Sequence, residues 1–197
     1  MIKYICILDF EANCLENSKL PIQEIIEFPT IVYDVEKDLI DESRTFHYYC
    51  NTDTPITKFC TELTGITQDI TNAGKPFKEV LYMHRQWMID NNFFDEEGNS
   101  NVIFVTCGDW DLKTALPTQC RYSNVHVPKY LKEWCNIKYM FNDFYKVKGG
   151  GMKRMLNHLK LSLDGTHHSG IDDCRNIAKI VRRIWNDNGD IYVTGWK

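Results

Sequence analysis

The sequence predicts an α/β fold: a five-stranded mixed sheet, made of a three-strand antiparallel meander plus two parallel strands, flanked by helices. Three observations carry this. Tyr4 to Leu8 is an apolar run with apolar residues on both faces, as in a strand covered on both sides. Val102 to Cys107 (VIFVTC) is a second continuous apolar run. Between and after them lie helix-period stretches of the kind that serve as crossovers.

Taken in order, Tyr4 to Leu8 places Tyr4, Cys6, Leu8 and Phe10 on one face and Ile5 and Ile7 on the other, then passes into Asp9-Phe10-Glu11. Residues two apart in a strand share a face, so both carboxylates project together. Glu24 to Val35 reads as a second strand, with Pro29 requiring a bulge or an unpaired position. A charged turn over Glu36 to Glu42 leads to a third strand, Arg44 to Cys50. Thr57 to Leu63 followed by Gly65 reads as a short helix with a glycine stop. Pro76 to about Asn91 is an amphipathic helix with the stripe Phe77, Val80, Leu81, His84, Trp87 and Met88. Asp95 to Asn101 reads as a loop. After Val102 to Cys107, Asp109 reads as a helix N-cap and Pro117 as the residue that kinks or ends that helix. Trp134 to Phe141 is the fifth strand, Gly149-Gly150-Gly151 a flexible loop, Met152 to Leu159 a helix, Leu163 to Gly170 a loop, and Ile171 to about Asn186 the last long helix.

Length and composition bound the function. At 197 residues the chain is expected to form one domain, 1–197, with a substantial core. A net charge of −4 argues against a broad, sequence-independent grip on a long polyanion, so any nucleic-acid contact should be local and ion-assisted. The eight cysteines form no CxxC pair, and several sit in apolar runs where a thiol packs as a small hydrophobe. The expectation is a reduced, intracellular setting, cytoplasmic and/or nuclear. About five consecutive apolar residues open the chain, too few for a signal peptide, and no run approaches the roughly 20 needed to cross a bilayer.

The chemistry concentrates in acids. On the last helix Ile177, Ile180, Val181 and Ile184 form an apolar face that also carries Asp173, whereas Asp172 lies about a quarter turn away and suits the helix dipole. A carboxylate on a core-facing stripe needs a basic partner or a metal. Asp111 lies just past the buried strand, where an α/β sheet exposes its site. Asp9, Glu11, Asp111 and Asp173 together form an all-oxygen donor set suited to Mg²⁺ or Mn²⁺ rather than zinc. A histidine beside such a site is the natural general base, and on composition His167 and His168 are not separated.

LDFEANC, GDWDLKT and HHSGIDDCRNIAKI resemble the three motifs of the DEDDh (DnaQ-like) 3′ to 5′ exonucleases, and within them the chain looks like the Eri-1 and histone-mRNA 3′ exonuclease type. EIIEFP (Glu24 to Pro29), FCTELTGIT (Phe59 to Thr67) and NDFYK (Asn142 to Lys146) extend the likeness over nearly the whole chain. The resemblance implies a ribonuclease H-like exonuclease fold and two cations held by Asp9, Glu11, Asp111 and Asp173. Alignment of GIDD makes His168 the general base. It further implies that Ala12, Phe59, Thr64, Gly65, Ile66 and Trp110 contact the terminal base and sugar; for Phe59 and Trp110, plain core packing is the competing reading. Asn13 stands where Thr is usual. The SAP module that precedes the nuclease in some relatives is not seen, so a bare catalytic domain is expected, acting as a monomer away from membranes. The implied activity is release of nucleoside 5′-monophosphates from RNA 3′ ends, single-stranded or overhanging, whether of small RNA, rRNA or mRNA tails. A single-strand DNA or mixed nuclease, and a non-catalytic RNA-binding protein of the same fold, are the alternatives.

Overall fold

A computed structural model describes residues 2–95, 97–148 and 150–196. Strand β1 (Tyr4–Leu8) occupies the middle of the sheet, paired antiparallel with β3 (Ile25–Asp34) on one side. On its other side it runs parallel to β5 (Val102–Thr106). The two-residue β2 (Glu11–Ala12) continues the line of β1 along β3, with Leu8 opposite Thr30 and Glu11 opposite Glu27. Strand β4 (Leu39–Tyr49) covers the outer edge of β3, and β6 (Glu133–Asn136) runs parallel to β5. The main order is therefore β4-β3-β1-β5-β6, the expected meander plus two parallel strands, with a short antiparallel β7 (Gly195–Trp196) on β6.

The alternation along β1 sorts the two cores. Ile5 and Ile7, with Ile31, Tyr33, Ile103 and Val105, pack beneath α5 (Ile137–Tyr145), α6 (Met152–Leu159) and α7 (Gly170–Asn186). Cys6 and Leu8, with Phe28, Val32 and Phe104, pack against α3 (Phe77–Asp90) and α4 (Leu116–Tyr122). Two short helices, α1 (Lys58–Thr64) and α2 (Gln68–Ala73), lie between β4 and α3. Thr57 caps α1 by accepting from the Cys60 N–H, and Gly65, at φ +77°, closes it with an N–H to the Thr61 carbonyl. In α3, His84 is fully buried with its ring nitrogens on the Thr30 and Tyr130 hydroxyls; burial lowers its pKa to about 3, so it is a neutral core residue.

Five expectations are corrected. The fifth strand ends at Asn136: Ile137, Met140 and Phe141 are buried at i, i+3 and i+4 spacing, and the Asn136 side chain accepts from Lys138 N–H to start α5. The charged turn before β4 is shorter than 36–42, since Asp38 takes the left-handed conformation at φ +50° and pairing resumes at Leu39. Pro117 does not end its helix: a π-helical turn over Asp111–Ala115 leads directly into α4, and the helix runs past Pro117 to Tyr122. Asp109 is not a side-chain cap, because its carboxylate accepts from Trp134 Nε1 (2.9 Å) and the Tyr139 hydroxyl (3.4 Å). The register shift expected at Pro29 falls between Thr30 and Val32, and Pro29 itself faces His47 in the ladder. Gly149 of the expected glycine loop, and Glu96 of the loop before β5, lie outside the described residues.

Candidate active site

The interruption between β1 and β2 builds the centre. Beyond Leu8 the chain leaves the ladder for two residues, Asp9 and Phe10, opposite the part of β3 that contains Phe28 and Pro29. The freed Phe10 N–H donates to Asp111 Oδ1 (2.8 Å), tying the end of β1 to the residue that opens the turn after β5. Helix α7 crosses the same strand ends. Asp9, Glu11 and Asp173 each bring a carboxylate oxygen to within 4.8 Å of the other two. Asp111, 5% exposed, adjoins this group without belonging to it at that distance. Asp173, 4% exposed, has no Lys or Arg ion pair among the described residues; its carboxylate takes the His168 N–H (3.0 Å) and faces His167 Nδ1 (3.0 and 3.1 Å). Asp172 points elsewhere, accepting from Thr166 N–H and pairing with Arg175.

Without a cation the acids are mutually hostile. Burial first, then the charges of Asp111, Glu11 and Asp173, push the Asp9 carboxyl well above its ordinary range. Burial, followed by Glu27, Asp173 and Asp111, raises Glu11 to about 9. Burial raises Asp111 to about 6 even though the Phe10 N–H and the Lys138 ammonium oppose it. An all-oxygen set of acids that resist ionisation is the donor chemistry that fits a hard divalent cation. Beside it, the His168 imidazole is half-buried and at φ +69°, and desolvation and the neighbouring His167 lower its pKa. The two imidazoles stack at 3.9 Å between centroids.

The remaining predicted positions fall into two groups. Ala12, Phe59, Thr64, Gly65 and Ile66 lie together, because the Cys60 thiol of α1 sits 3.6 Å from the Ala12 carbonyl. Asn13 anchors the same region, its side chain donating to the Pro55 carbonyl and accepting from Thr57 N–H. Thr64 and Ile66 are buried; the Thr64 hydroxyl donates to the Cys60 carbonyl and accepts from Ile66 N–H, so it supports the turn. Phe59 is half-buried and Gly65 exposed. Trp110 belongs to the second group, 38% exposed next to Asp111, which is inconsistent with plain core packing. Glu27 was not singled out by sequence reasoning, although it lies one strand from Glu11 and is 1% exposed; its only signal was a carboxylate between the apolar pairs Ile25-Ile26 and Phe28-Pro29.

All eight cysteines are free thiols, and among the described residues no helix is long and apolar enough to cross a membrane. The sequence matches the RNase_T family, described as exonuclease, over residues 6–181. It is 40% identical over 185 residues to ERI1 exoribonuclease 3 of Homo sapiens, covering 92% of this chain and 53% of that protein. It is 36% identical over 196 residues to 3′-5′ exoribonuclease 1 of Homo sapiens, covering 96% and 54%. The chain thus spans about half the length of the curated relatives it matches. The solved nuclease domain of 3′hExo, a DEDDh family member bound to rAMP, superposes with a TM-score of 0.91 at 33% identity, covering 100% of this chain and 98% of that one. Strand order, acid cluster and these matches agree: the chain belongs to the RNase_T exonuclease family, in its DEDDh branch of Eri-1 and histone-mRNA 3′ exonuclease type, with the ribonuclease H-like fold.

Proposed function

We propose that this chain is a metal-dependent 3′ to 5′ exoribonuclease that releases nucleoside 5′-monophosphates from RNA 3′ ends. The observation that carries the reading is the convergence of Asp9, Glu11 and Asp173, from opposite ends of the chain, beside Asp111 and His168. Relatives named exoribonucleases and a neighbour bound to rAMP support RNA as the substrate class.

Asp9, Glu11, Asp111 and Asp173 would hold Mg²⁺ or Mn²⁺. When bound, such ions lower the pKa of water and stabilise the charge developing on both oxygens of an in-line displacement. His168, whose pKa lies below the ordinary imidazole value, is neutral at pH 7 and takes the proton from the attacking water. Water oxygen forms the new bond to phosphorus as the bond to the 3′ oxygen breaks, leaving a 5′-monophosphate and a chain one nucleotide shorter. Asp173 orients the loop that carries His168 through that residue's N–H. Trp110 and Phe59 offer aromatic faces on which any terminal base can stack, which favours single-stranded ends of varied sequence.

The test is digestion of 5′-labelled RNA and DNA oligonucleotides of matched sequence with Mg²⁺, with Mn²⁺ and with EDTA. Stepwise shortening of RNA with mononucleotide release, abolished by EDTA, is the expected result. Faster digestion of DNA would reassign the substrate, and no mononucleotide release with Mn²⁺ would overturn the reading.

A further inference from the structure

The start of α7 has an unusual cap. The helix is 17 residues long, yet its N-cap residue, Ser169, makes no side-chain capping bond. In its place a carboxylate from the sheet enters the first turn: Glu27 Oε2 accepts from Gly170 N–H (2.9 Å), and Oε1 accepts from Ile171 N–H (3.2 Å). The same Oε1 lies 2.7 Å from His47 Nε2, so strand β4 holds the carboxylate from behind. Gly170 is pressed onto this arrangement so closely that an added Cβ would lie 2.7 Å from the Asp9 carbonyl oxygen, 3.0 Å from Glu27 Oε2 and 3.1 Å from Pro29 Cγ.

Glu27 is also the cross-strand partner of Glu11, and its charge is one of the causes that raise Glu11. Beside the acid cluster its negative charge adds to the repulsion felt by Glu11, while its own carboxylate is held by the Gly170 and Ile171 N–H groups and by His47. What the carboxylate does supply is geometry. One side chain fixes the start of α7 against the strand pair that carries Asp9 and Glu11, and Asp173 lies one turn further along that helix.

We infer that Glu27, steadied by His47, is a positioning residue that sets the register of α7 so that Asp173 and His168 meet Asp9 and Glu11. The inference rests on the exonuclease reading above. Its test compares wild type with Glu27→Gln, which keeps the size of the side chain but turns an NH₂ group towards at least one of its three donors. Kinetics on a short RNA, Mn²⁺ affinity by electron paramagnetic resonance, and amide exchange over residues 166–174 are measured on folded protein. The expected result is a fall in kcat of about 10- to 100-fold, the range found when partners of metal ligands are lost, with KM changed less than about threefold. Mn²⁺ binding weakens and exchange at the first turn of α7 accelerates. A lower melting temperature with kcat and Mn²⁺ affinity within about twofold of wild type would make the role structural and overturn the inference. Should Glu27→Gln not fold, His47→Ala, which removes only the rear contact, must lower kcat several-fold at constant KM; unchanged kcat in that variant overturns it equally. A wild type that neither hydrolyses RNA nor binds Mn²⁺ would instead refute the exonuclease reading itself.

Discussion

Replacing Asp173 by Asn separates the electrostatics of the centre from its packing. The amide keeps an oxygen that can accept from His168 N–H, so the loop before α7 retains its anchor. It removes a charge lying within 4.8 Å of those on Asp9 and Glu11. At an effective dielectric of about 20, two full charges at that separation repel by about 3.5 kcal/mol. The relief at pH 7 is smaller, because Glu11, raised to about 9, already holds its proton. Loss of the partly exposed contact with His167 offsets up to about 1 kcal/mol. The cation-free variant is therefore expected within about 1 kcal/mol of wild type. Cation binding should behave oppositely. At 100 times its Kd, Mn²⁺ stabilises the wild type by about 2.7 kcal/mol, a rise of roughly 5–10 °C in Tm for a chain of this size. The variant should gain little. If the missing ligand costs the transition state about 4 kcal/mol, turnover falls on the order of 10³-fold. Differential scanning fluorimetry with and without Mn²⁺, beside an RNA digestion assay, reads all three quantities. A variant destabilised by more than about 2 kcal/mol without cation, stabilised by Mn²⁺ as well as wild type, or near wild type in turnover would refute the reasoning.

Other expectations follow from the same geometry. Because Glu11 is raised to about 9 in the fold from an ordinary value of 4.5, the folded state binds the extra proton between those limits. The metal-free protein should therefore lose stability as pH rises through that window, and saturating Mn²⁺ should cancel the loss in melting curves at pH 5 and pH 8.5. His168→Ala should cost on the order of 10²- to 10⁴-fold in kcat, while His167→Ala, which loses a contact to Asp173, should cost about 10-fold; the reverse order would assign the base to His167. Gly170→Ala forces a methyl group against the Asp9 carbonyl oxygen. Overpacking of this kind costs about 1–3 kcal/mol, and urea melts should show it together with reduced turnover.

Much of the centre was legible in the chain because each acid breaks a local pattern. Asp9 and Glu11 terminate an apolar strand, Asp111 follows one, and Asp173 interrupts the stripe Ile177, Ile180, Val181 and Ile184, all of which are buried. The alternation of Ile5 and Ile7 against Cys6 and Leu8 predicted a strand covered on both faces, and each of those faces packs into its own apolar cluster. What was illegible depends on contacts made across the fold. Glu27 caps a helix 143 residues away, and Asp109 serves a tryptophan 25 residues on instead of its own helix. The helix at Ile137 was hidden because β-favouring Trp134 and Cys135 run into it without Gly or Pro between them.

Helix α7 packs its apolar face onto Ile5, Ile7, Ile31 and Tyr33, residues synthesised long before it. During translation the N-terminal strands must therefore wait, with one greasy side uncovered, for a segment about 140 residues downstream. The nascent chain is exposed to aggregation throughout that interval and lacks the last acid and the histidine until residues 168–173 have been made. A ribosome-bound fragment ending before Gly170 should therefore be inert towards RNA.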